Sequence, residues 1–264
     1  MDSDMAGKLN SEMLKLAAFD EALRTQQALQ HAEPGSDLSV DEARLPDVWA
    51  TTVVHRSLLH TVECLRAAGE QIMSEAWMHT PFVLMRGAYE SAALAVWLLE
   101  PESADVRLGR LIAQHKASWK YSQTAYSGTP LDDKGLHDAR LAYAAKMIEI
   151  AGVDPSECKL PGFEKLIKDV DDFPGEERSY LTAWRVCSGV SHAKTWALDT
   201  VTTEVDRKHI SGHVGLSARM PDLELAFRFL CVGRRTVERA CIWRDIRRTA
   251  RPHSIRMGMS DTVY

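Results

Sequence analysis

The sequence predicts an all-α protein: a helical bundle of about eight helices with one irregular or small hairpin insertion near residues 200–220. Three observations support this prediction. Apolar residues recur every three to four positions along most of the chain, which is the period of a helix. No alternation of strand-like and helix-like segments appears, which disfavours an α/β fold. Of the 264 residues, 45% are hydrophobic and 26% are charged, a composition suited to a substantial buried core.

Proline and glycine mark the ends of the predicted helices. Pro46 and Pro81 suit the first turn of a helix, where the missing N–H costs nothing. Pro34-Gly35 and Gly152 suit helix termination. The predicted helices cover about residues 8–31, 46–78, 80–100, 102–126, 133–151, 163–170, 176–198 and 221–249.

The segment from Thr200 to Met220 interrupts the helical pattern. Its β-branched residues surround two glycines, so it is either a small hairpin or an ordered loop. Residues 252–264 look like a loose tail. We therefore expect one helical domain over residues 1–264, with its core bundle at about 46–250 and the helix at 8–31 added in front.

Composition restricts the possible environments. The net charge of −5 gives no overall attraction to nucleic acid. The five cysteines contain no Cys-x-x-Cys pair, and the acidic amino terminus does not resemble a signal peptide. Pro81–Leu99 is nearly long enough to span a bilayer, but Arg86 and Glu90 near its middle favour a buried core helix. The expected location is the cytoplasm.

A polar stripe on the seventh predicted helix is the most informative feature. At 100° per residue, Arg185, Ser188 and His192 fall on one side, and the opposite side is apolar. Gly189 also lies on the polar side, next to Trp196. Because glycine destabilises a helix interior, its presence suggests a close approach by another helix, another subunit or a ligand.

The residue types in this stripe suit phosphate chemistry. Arg185 offers a planar fork that matches a phosphate, and His192 can exchange a proton near neutral pH. Ser188 can hydrogen-bond to either side chain. A histidine that removes the ribose 2′-hydroxyl proton and an arginine that stabilises phosphate charge would cleave RNA without a metal. Equally, the three residues can be structural partners of a neighbouring helix.

Arg86 and Glu90 are the only charges between Pro81 and Leu99, and their spacing places them on one helix face. Glu90 can pair with Arg86, Arg185 or His192. The pair either supports the Arg185–His192 site or is a buried ion pair that fixes helix register.

The segment Arg185-Val-Cys-Ser-Gly-Val-Ser-His192 resembles the HEPN superfamily, whose hallmark is an arginine followed by four to six residues and a histidine. With the earlier Arg86-Gly-Ala-Tyr-Glu90 element, the chain is similar to uncharacterised bacterial HEPN-like proteins. The resemblance covers about residues 81–198. It implies a metal-independent ribonuclease or nucleotide-acting protein of a toxin or phage-defence system, with Arg185 and His192 in the site. It also implies a homodimer in which both motifs face one cleft.

The last predicted helix is rich in arginine, including Arg235, Arg239, Arg247 and Arg248. These side chains either contact phosphates or pair with the acidic remainder of the chain. No Gly-rich phosphate loop is present, and neither His209 with His213 nor any carboxylate set forms a convincing metal motif. We therefore expect neither metal nor cofactor.

Two functions remain open from the sequence. The first is a HEPN-like enzyme that acts on RNA or nucleotides. The second is a non-catalytic helical dimer that binds a protein or nucleic acid. Two-fold pairing is the commonest closed assembly, and the stripe with Gly189 and Trp196 suits another helix, so a homodimer is expected in either case.

Overall fold

The computed structural model describes residues 2–25, 32–171, 179–209 and 215–250. Within them lie ten helices and one two-stranded sheet, which confirms the all-α class. The ends of two predicted helices (26–31 and 176–178) and the predicted tail at 252–264 fall outside the described residues. In chain order the elements are α1 Ser3–Arg24, α2 Asp37–Arg44, α3 Ala50–Ser74, α4 Thr80–Leu99, α5 Ala104–Tyr126, α6 Lys134–Ala151, α7 Phe163–Val170, α8 Ser179–Ser191, α9 Thr195–Thr200, β1 Thr202–His209, β2 Gly215–Pro221 and α10 Leu223–Arg248.

Near the amino terminus, one predicted helix boundary is wrong and one helix was not predicted. The second predicted helix begins at Ala50, so Pro46 lies before it rather than in its first turn. The polar stretch before Pro46 contains α2, whose start is capped by the Ser36 side chain accepting from the Ser39 N–H at 3.2 Å. Such a short, polar helix gives little periodic signal.

The insertion near residues 200–220 is a hairpin, one of the two alternatives. β1 and β2 pair antiparallel, with Thr202 opposite Pro221 and Arg207 opposite Ser217. A register shift between Glu204 and Asp206 interrupts the ladder, as a β-bulge does.

The seventh predicted helix is two helices, because the chain reverses after Ser191. Ala193 adopts a left-handed conformation with φ 49°. Its N–H donates to Val190 O, and the Lys194 N–H donates to Gly189 O, both at 2.9 Å. These two bonds form the Schellman arrangement that ends a helix. Glycine is the usual residue at such a position. Because alanine stands here instead, the sequence contains no glycine that would indicate this helix end.

Ala193→Gly is expected to stabilise the protein by about 1 kcal/mol. The left-handed conformation is costly for a residue with a Cβ and free of that cost for glycine. Urea unfolding monitored by circular dichroism measures the change. The matched control is Ala139→Gly, at an exposed interior position of α6, which should destabilise by about 0.5–1 kcal/mol. A loss of stability in Ala193→Gly would contradict the assigned helix end.

Contacts divide the chain into two compact units. Unit 1 comprises Met1–Ala28, Val54–Trp97 and Gly162–Cys241, and unit 2 comprises the remaining segments, 29–53, 98–161 and 242–264. The expectation of a single domain stays a prediction.

In unit 1, two buried tyrosines join three helices. The Tyr180 hydroxyl of α8 donates to Tyr89 O of α4 at 2.6 Å, and the Tyr89 hydroxyl donates to Phe229 O of α10 at 2.7 Å. The rings of Tyr89 and Tyr180 meet edge to face, with centroids 5.2 Å apart. Burial raises the pKa of both hydroxyls, so both remain protonated donors. These bonds fix the position of α8 along α4.

The apolar helix α4 lies in this core. It is long and apolar enough to cross a membrane by length and composition, yet 67% of its apolar window is buried within the protein. A buried core helix meets the same criteria, and the charged pair Arg86 and Glu90 occupies its less buried face. The cytoplasmic location stays a prediction.

In unit 2, the α5 side chain of Arg107 is buried against α2. Arg107 Nε donates to Asp41 Oδ2 at 2.7 Å, and Arg107 Nη2 donates to Asp41 Oδ1 at 3.0 Å. Arg107 Nη1 donates to the backbone carbonyls of Pro101 and Glu102, which lie just before α5. The guanidinium therefore has three partners, and each oxygen of the Asp41 carboxylate accepts a hydrogen bond, as buried ions require.

Candidate functional site

The structure places part of the predicted site on the surface of unit 1, where α4 lies beside the end of α8. The NH1 nitrogen of Arg86 is 3.2 Å from His192 Nε2. The Nε of Arg86 donates to a Glu90 carboxylate oxygen at 3.0 Å, and the Trp184 indole N–H donates to that same oxygen at 3.1 Å. We call these four residues the Arg86 network.

The contact with Arg86 favours one tautomer of His192. A guanidinium has five N–H donors and no acceptor, so Nε2 of His192 must accept in this contact. A hydrogen bond across this contact therefore uses the tautomer that carries its proton on Nδ1. A neutral imidazole with a lone pair on Nε2 is the form that a general base requires.

The Arg86 network changes from half-buried to exposed along its length. The Glu90 and Arg86 side chains are 18% and 28% exposed, and His192 is exposed. Of the three partners proposed for Glu90, the structure selects Arg86. The anchored end, Glu90 with the buried Trp184, orients the arginine, while the exposed end faces solvent where a ligand has access.

Arg185 lies outside the Arg86 network. Its side chain is 53% exposed and pairs with Glu164 of α7, which is equally exposed. Exposed pairs of this kind contribute about 0–1 kcal/mol, so an anionic ligand can displace Glu164 at little cost. Ser188 is half-buried one turn before His192, and its carbonyl accepts from the His192 N–H at 3.2 Å.

The expected position of His192 needs correction, whereas the close approach expected at Gly189 is confirmed and is made by another helix. His192 follows the end of α8 instead of lying within a continuous helix. Gly189 faces α9 of the same chain: a Cβ at this position would come within 2.6 Å of Ala197 Cβ and 2.8 Å of Trp196 Cζ2. Gly189 is therefore explained by the turn that brings α9 back over α8, and it is not available to a second subunit.

Gly189→Ala is expected to destabilise the protein by about 1–3 kcal/mol and to displace α9. The new methyl group would overlap Ala197 Cβ, and overpacking in a tight contact has this cost. Thermal or urea unfolding measures the loss, and fluorescence of the half-exposed Trp196 reports the displacement. Gly7→Ala is the control, since a Cβ there meets nothing within 4 Å in α1 and should stabilise the helix. Equal stability of Gly189→Ala and the parent would rule out the tight α8–α9 contact.

The predicted phosphate-binding arginines of α10 have different environments. Arg247 is only 1% exposed: it donates to the Asp37 carboxylate and to the carbonyls of Leu99 and Glu100, so the prediction that it contacts nucleic acid is wrong. Arg239 donates to Val170 O at 2.6 Å, so its side chain contacts the backbone at the end of α7. Arg235 is exposed and Arg248 is half-buried.

Sequence analysis missed Trp184 as a member of the Arg86 network. The helical wheel assigned it to the apolar side, and it is indeed buried. A buried tryptophan usually needs an acceptor for its indole N–H, and Glu90 supplies it. From the sequence, one can expect a buried indole N–H to have an acceptor, but this expectation does not identify which residue accepts. The neighbouring Cys187 is fully buried, and burial raises the pKa of its thiol, which makes it a packing residue rather than a nucleophile.

Unit 2 contains a separate cavity of about 290 Å³ between the end of α5 and the start of α6. Its lining includes Tyr126, Asp132, His137 and Arg140, and none of the predicted site residues. The cavity is therefore no part of the Arg86 network.

Comparisons with protein-family models, curated proteins and solved structures found no match to this chain. The candidate site consequently depends on its own geometry and on the resemblance of its two short motifs.

Proposed function

We propose that the protein is a HEPN-like, metal-independent endoribonuclease or nucleotide-acting protein of a bacterial defence or toxin-type system. The observation that carries the proposal is the contact between Arg86 NH1 and His192 Nε2 at the exposed end of the Arg86 network. It brings together a guanidinium and an imidazole, which are the two groups that this reaction needs.

In the proposed reaction, His192 Nε2 removes the proton from a ribose 2′-hydroxyl. The 2′-oxygen attacks the adjacent phosphorus, the bond to the 5′-oxygen breaks, and water protonates that leaving oxygen. The hydroxide left from the water takes the proton from the His192 imidazolium, which restores the base. The products are a 2′,3′-cyclic phosphate and a 5′-hydroxyl. Arg86, and Arg185 once released from Glu164, stabilise the charge on the pentavalent phosphate.

The contact between Arg86 and His192 gives substrate binding a second role. While Arg86 donates to Nε2, that nitrogen cannot accept the ribose proton. A phosphate that attracts the Arg86 NH1 group frees the lone pair of His192 at the moment when the 2′-hydroxyl arrives. Glu90 holds the Nε side of the guanidinium during this exchange. Without a bound phosphate, Arg86 therefore occupies the lone pair of His192, and phosphate binding makes that lone pair available as the base.

The alternative function is a non-catalytic helical dimer that binds protein or nucleic acid. The observation that favours it is that both arginines of the site already have carboxylate partners, Glu90 for Arg86 and Glu164 for Arg185. Such pairs also serve purely structural roles. In either case we propose a homodimer, with RNA, a nucleotide or a protein as the partner.

The proposal is tested by incubating the full-length protein with mixed RNA in the presence of a chelator. We expect cleavage that produces 2′,3′-cyclic phosphate ends without added metal. Tight RNA binding without turnover would favour the binding module, and neither binding nor cleavage would reject both nucleic-acid functions. Light scattering at micromolar concentration tests the dimer, which a stable monomer would contradict.

A further inference from the structure

The cavity in unit 2 lies between the last turn of α5, the connecting residues 127–133 and the first two turns of α6. Cavities that combine apolar walls with a few convergent polar groups are the usual binding sites of small molecules. Both kinds of side chain line this cavity, and none of them belongs to the Arg86 network. We propose that the cavity binds a free α-amino acid with an apolar side chain.

One face of α6 contributes both signs of charge to the cavity. Asp133 caps the start of this helix, and Leu136, His137 and Arg140 follow it three, four and seven positions later. Residues at this spacing lie on the same side of a helix. At 1.5 Å per residue, Arg140 is about 10 Å from Asp133 along the helix axis. A carboxylate and a guanidinium therefore lie at two separate points of one wall.

The guanidinium of Arg140 has no partner within the described part of the chain. The residue is half-buried, yet its side chain forms neither a hydrogen bond nor an ion pair there. The buried Arg107 and Arg247, by contrast, each bind a carboxylate and two carbonyls. A guanidinium offers five donors and can bind a carboxylate through two parallel hydrogen bonds. A half-buried cation of this kind, on the wall of a cavity, suits the carboxylate of a ligand.

The two carboxylates of the cavity are held in place by backbone donors. Asp132 Oδ2 accepts from the Gly128 N–H at 3.0 Å, and Asp133 Oδ1 accepts from the Leu136 N–H at 2.9 Å. Each carboxylate keeps a second oxygen, Asp132 Oδ1 and Asp133 Oδ2, that can accept from an ammonium group. Because the carboxylates are already fixed, binding a ligand costs them little conformational entropy.

The charges of the lining match a zwitterion better than a simple anion or a simple cation. Apart from the imidazole of His137, the charged side chains are one guanidinium and two carboxylates. Asp132 and Asp133 would repel a phosphate or another dianion, whereas an amine alone would leave Arg140 without compensation. An α-amino acid brings a carboxylate for Arg140 and an ammonium group for the two aspartates.

The apolar lining and the volume restrict the rest of the ligand. Tyr126, Leu131 and Leu136 line the cavity and are all exposed. An apolar ligand side chain would remove part of their surface from water, which favours binding. The volume of about 290 Å³ is that of about ten waters, so it admits roughly ten non-hydrogen atoms. Leucine has this size, whereas a nucleotide is too large.

Isothermal titration calorimetry of the full chain with L-leucine tests the proposal. We expect one leucine per chain with a Kd below about 1 mM, the upper end of the usual range of KM values for small substrates. Isocaproate is leucine without its amino group, and isoamylamine is leucine without its carboxylate. Each should bind at least about 10-fold more weakly than leucine, because each loses one set of charge-assisted hydrogen bonds.

Two variants and one control assign the two ends of the ligand. Arg140→Gln should weaken leucine binding by about 10–100-fold without weakening isoamylamine, which has no carboxylate. Asp133→Asn keeps the helix cap, since asparagine caps as well as aspartate does. It should weaken leucine by about 10-fold without weakening isocaproate, which has no ammonium group. Lys146→Gln is the control: it removes an exposed cation of α6 that does not line the cavity, and leucine binding should be unchanged. Circular dichroism establishes that each variant is folded.

Any of three results would overturn the amino-acid site. The first is the absence of saturable leucine binding in the millimolar range. The second is binding of isocaproate or isoamylamine as tightly as leucine, which would show that the ligand need not be a zwitterion. The third is an unchanged leucine Kd in Arg140→Gln. None of these results bears on RNA cleavage, since the proposed amino-acid site does not depend on the proposed ribonuclease function.

Discussion

His192→Ala is expected to lower the rate of metal-independent RNA cleavage by about 10²–10⁴-fold, the contribution of a positioned general base. His192 is exposed and contacts Arg86 only through Nε2, so its removal should change the stability of the fold by less than about 1 kcal/mol. Single-turnover cleavage of a short RNA with excess protein measures the rate of the chemical step. Thermal unfolding of the same preparation measures stability.

His79→Ala is the matched control, because it removes another histidine of unit 1 that lies outside the Arg86 network. Its backbone carbonyl, which accepts from the Phe82 N–H, is retained. Arg86→Lys should also reduce cleavage, since lysine lacks the fork that reaches Glu90 and His192 together. Arg185→Lys and Ser188→Ala should have smaller effects. Full activity in His192→Ala would eliminate the proposed mechanism, and a loss of several kcal/mol of stability would make His192 a structural residue.

Arg107→Ala is expected to destabilise the protein by about 3–5 kcal/mol. Removing one partner of a buried ion pair leaves the other charge without compensation, and Asp41 is only 3% exposed. The carbonyls of Pro101 and Glu102 would also lose a donor. Urea unfolding at pH 7 measures the loss, which is a large part of the stability of a typical domain.

The loss in Arg107→Ala should become smaller in acid. Burial raises the pKa of Asp41 even with Arg107 present, and without the guanidinium the pKa must rise further. A carboxyl group whose pKa is raised in the folded state penalises folding above that pKa, and the penalty disappears as pH falls through it. We therefore expect a smaller difference from the parent near pH 4 than at pH 7.

Asp41→Leu combined with Arg107→Met is the control for Arg107→Ala, because it removes both charges and fills the volume. Such replacements are often neutral or stabilising. If this double variant were as unstable as Arg107→Ala, lost packing rather than an uncompensated charge would explain the effect.

The fold class followed from the sequence because helical periodicity and turn residues act locally. α7 was predicted at its observed bounds, and α6 was predicted at about 133–151 with Gly152 as its end. In the structure Asp133 caps the start of α6, and Gly152, with φ 62°, ends it. The end of α8 was not predicted, because Ala193 occupies a conformation that its side chain does not favour. The turn at Ala193 brings α9 into close contact with Gly189, and no local sequence pattern shows this contact.

The candidate site was predictable in its residues but not in its pairing. The spacing of four residues predicted that Arg86 and Glu90 share a face, and the structure confirms their ion pair. That His192 meets Arg86, while Arg185 meets Glu164, depends on how helices distant in sequence pack together. For the same reason the sequence could not separate the buried Arg247 from the exposed Arg235 on one arginine-rich helix.

In unit 1, the buried tyrosines that position α8 are separate from the surface residues of the candidate site. Tyr180 and His192 are twelve residues apart on one stretch of chain, which corresponds to about 18 Å of helix. Tyr89 and Arg86 are separated by less than one turn of α4. The hydrogen bond from Tyr180 to Tyr89 thus helps to determine the position of His192 relative to Arg86, although the bond itself is buried. The half-buried Arg86 and Ser188 and the exposed His192 take no part in that bond, so substitutions at these three positions can change the chemistry of the surface while the bond is retained.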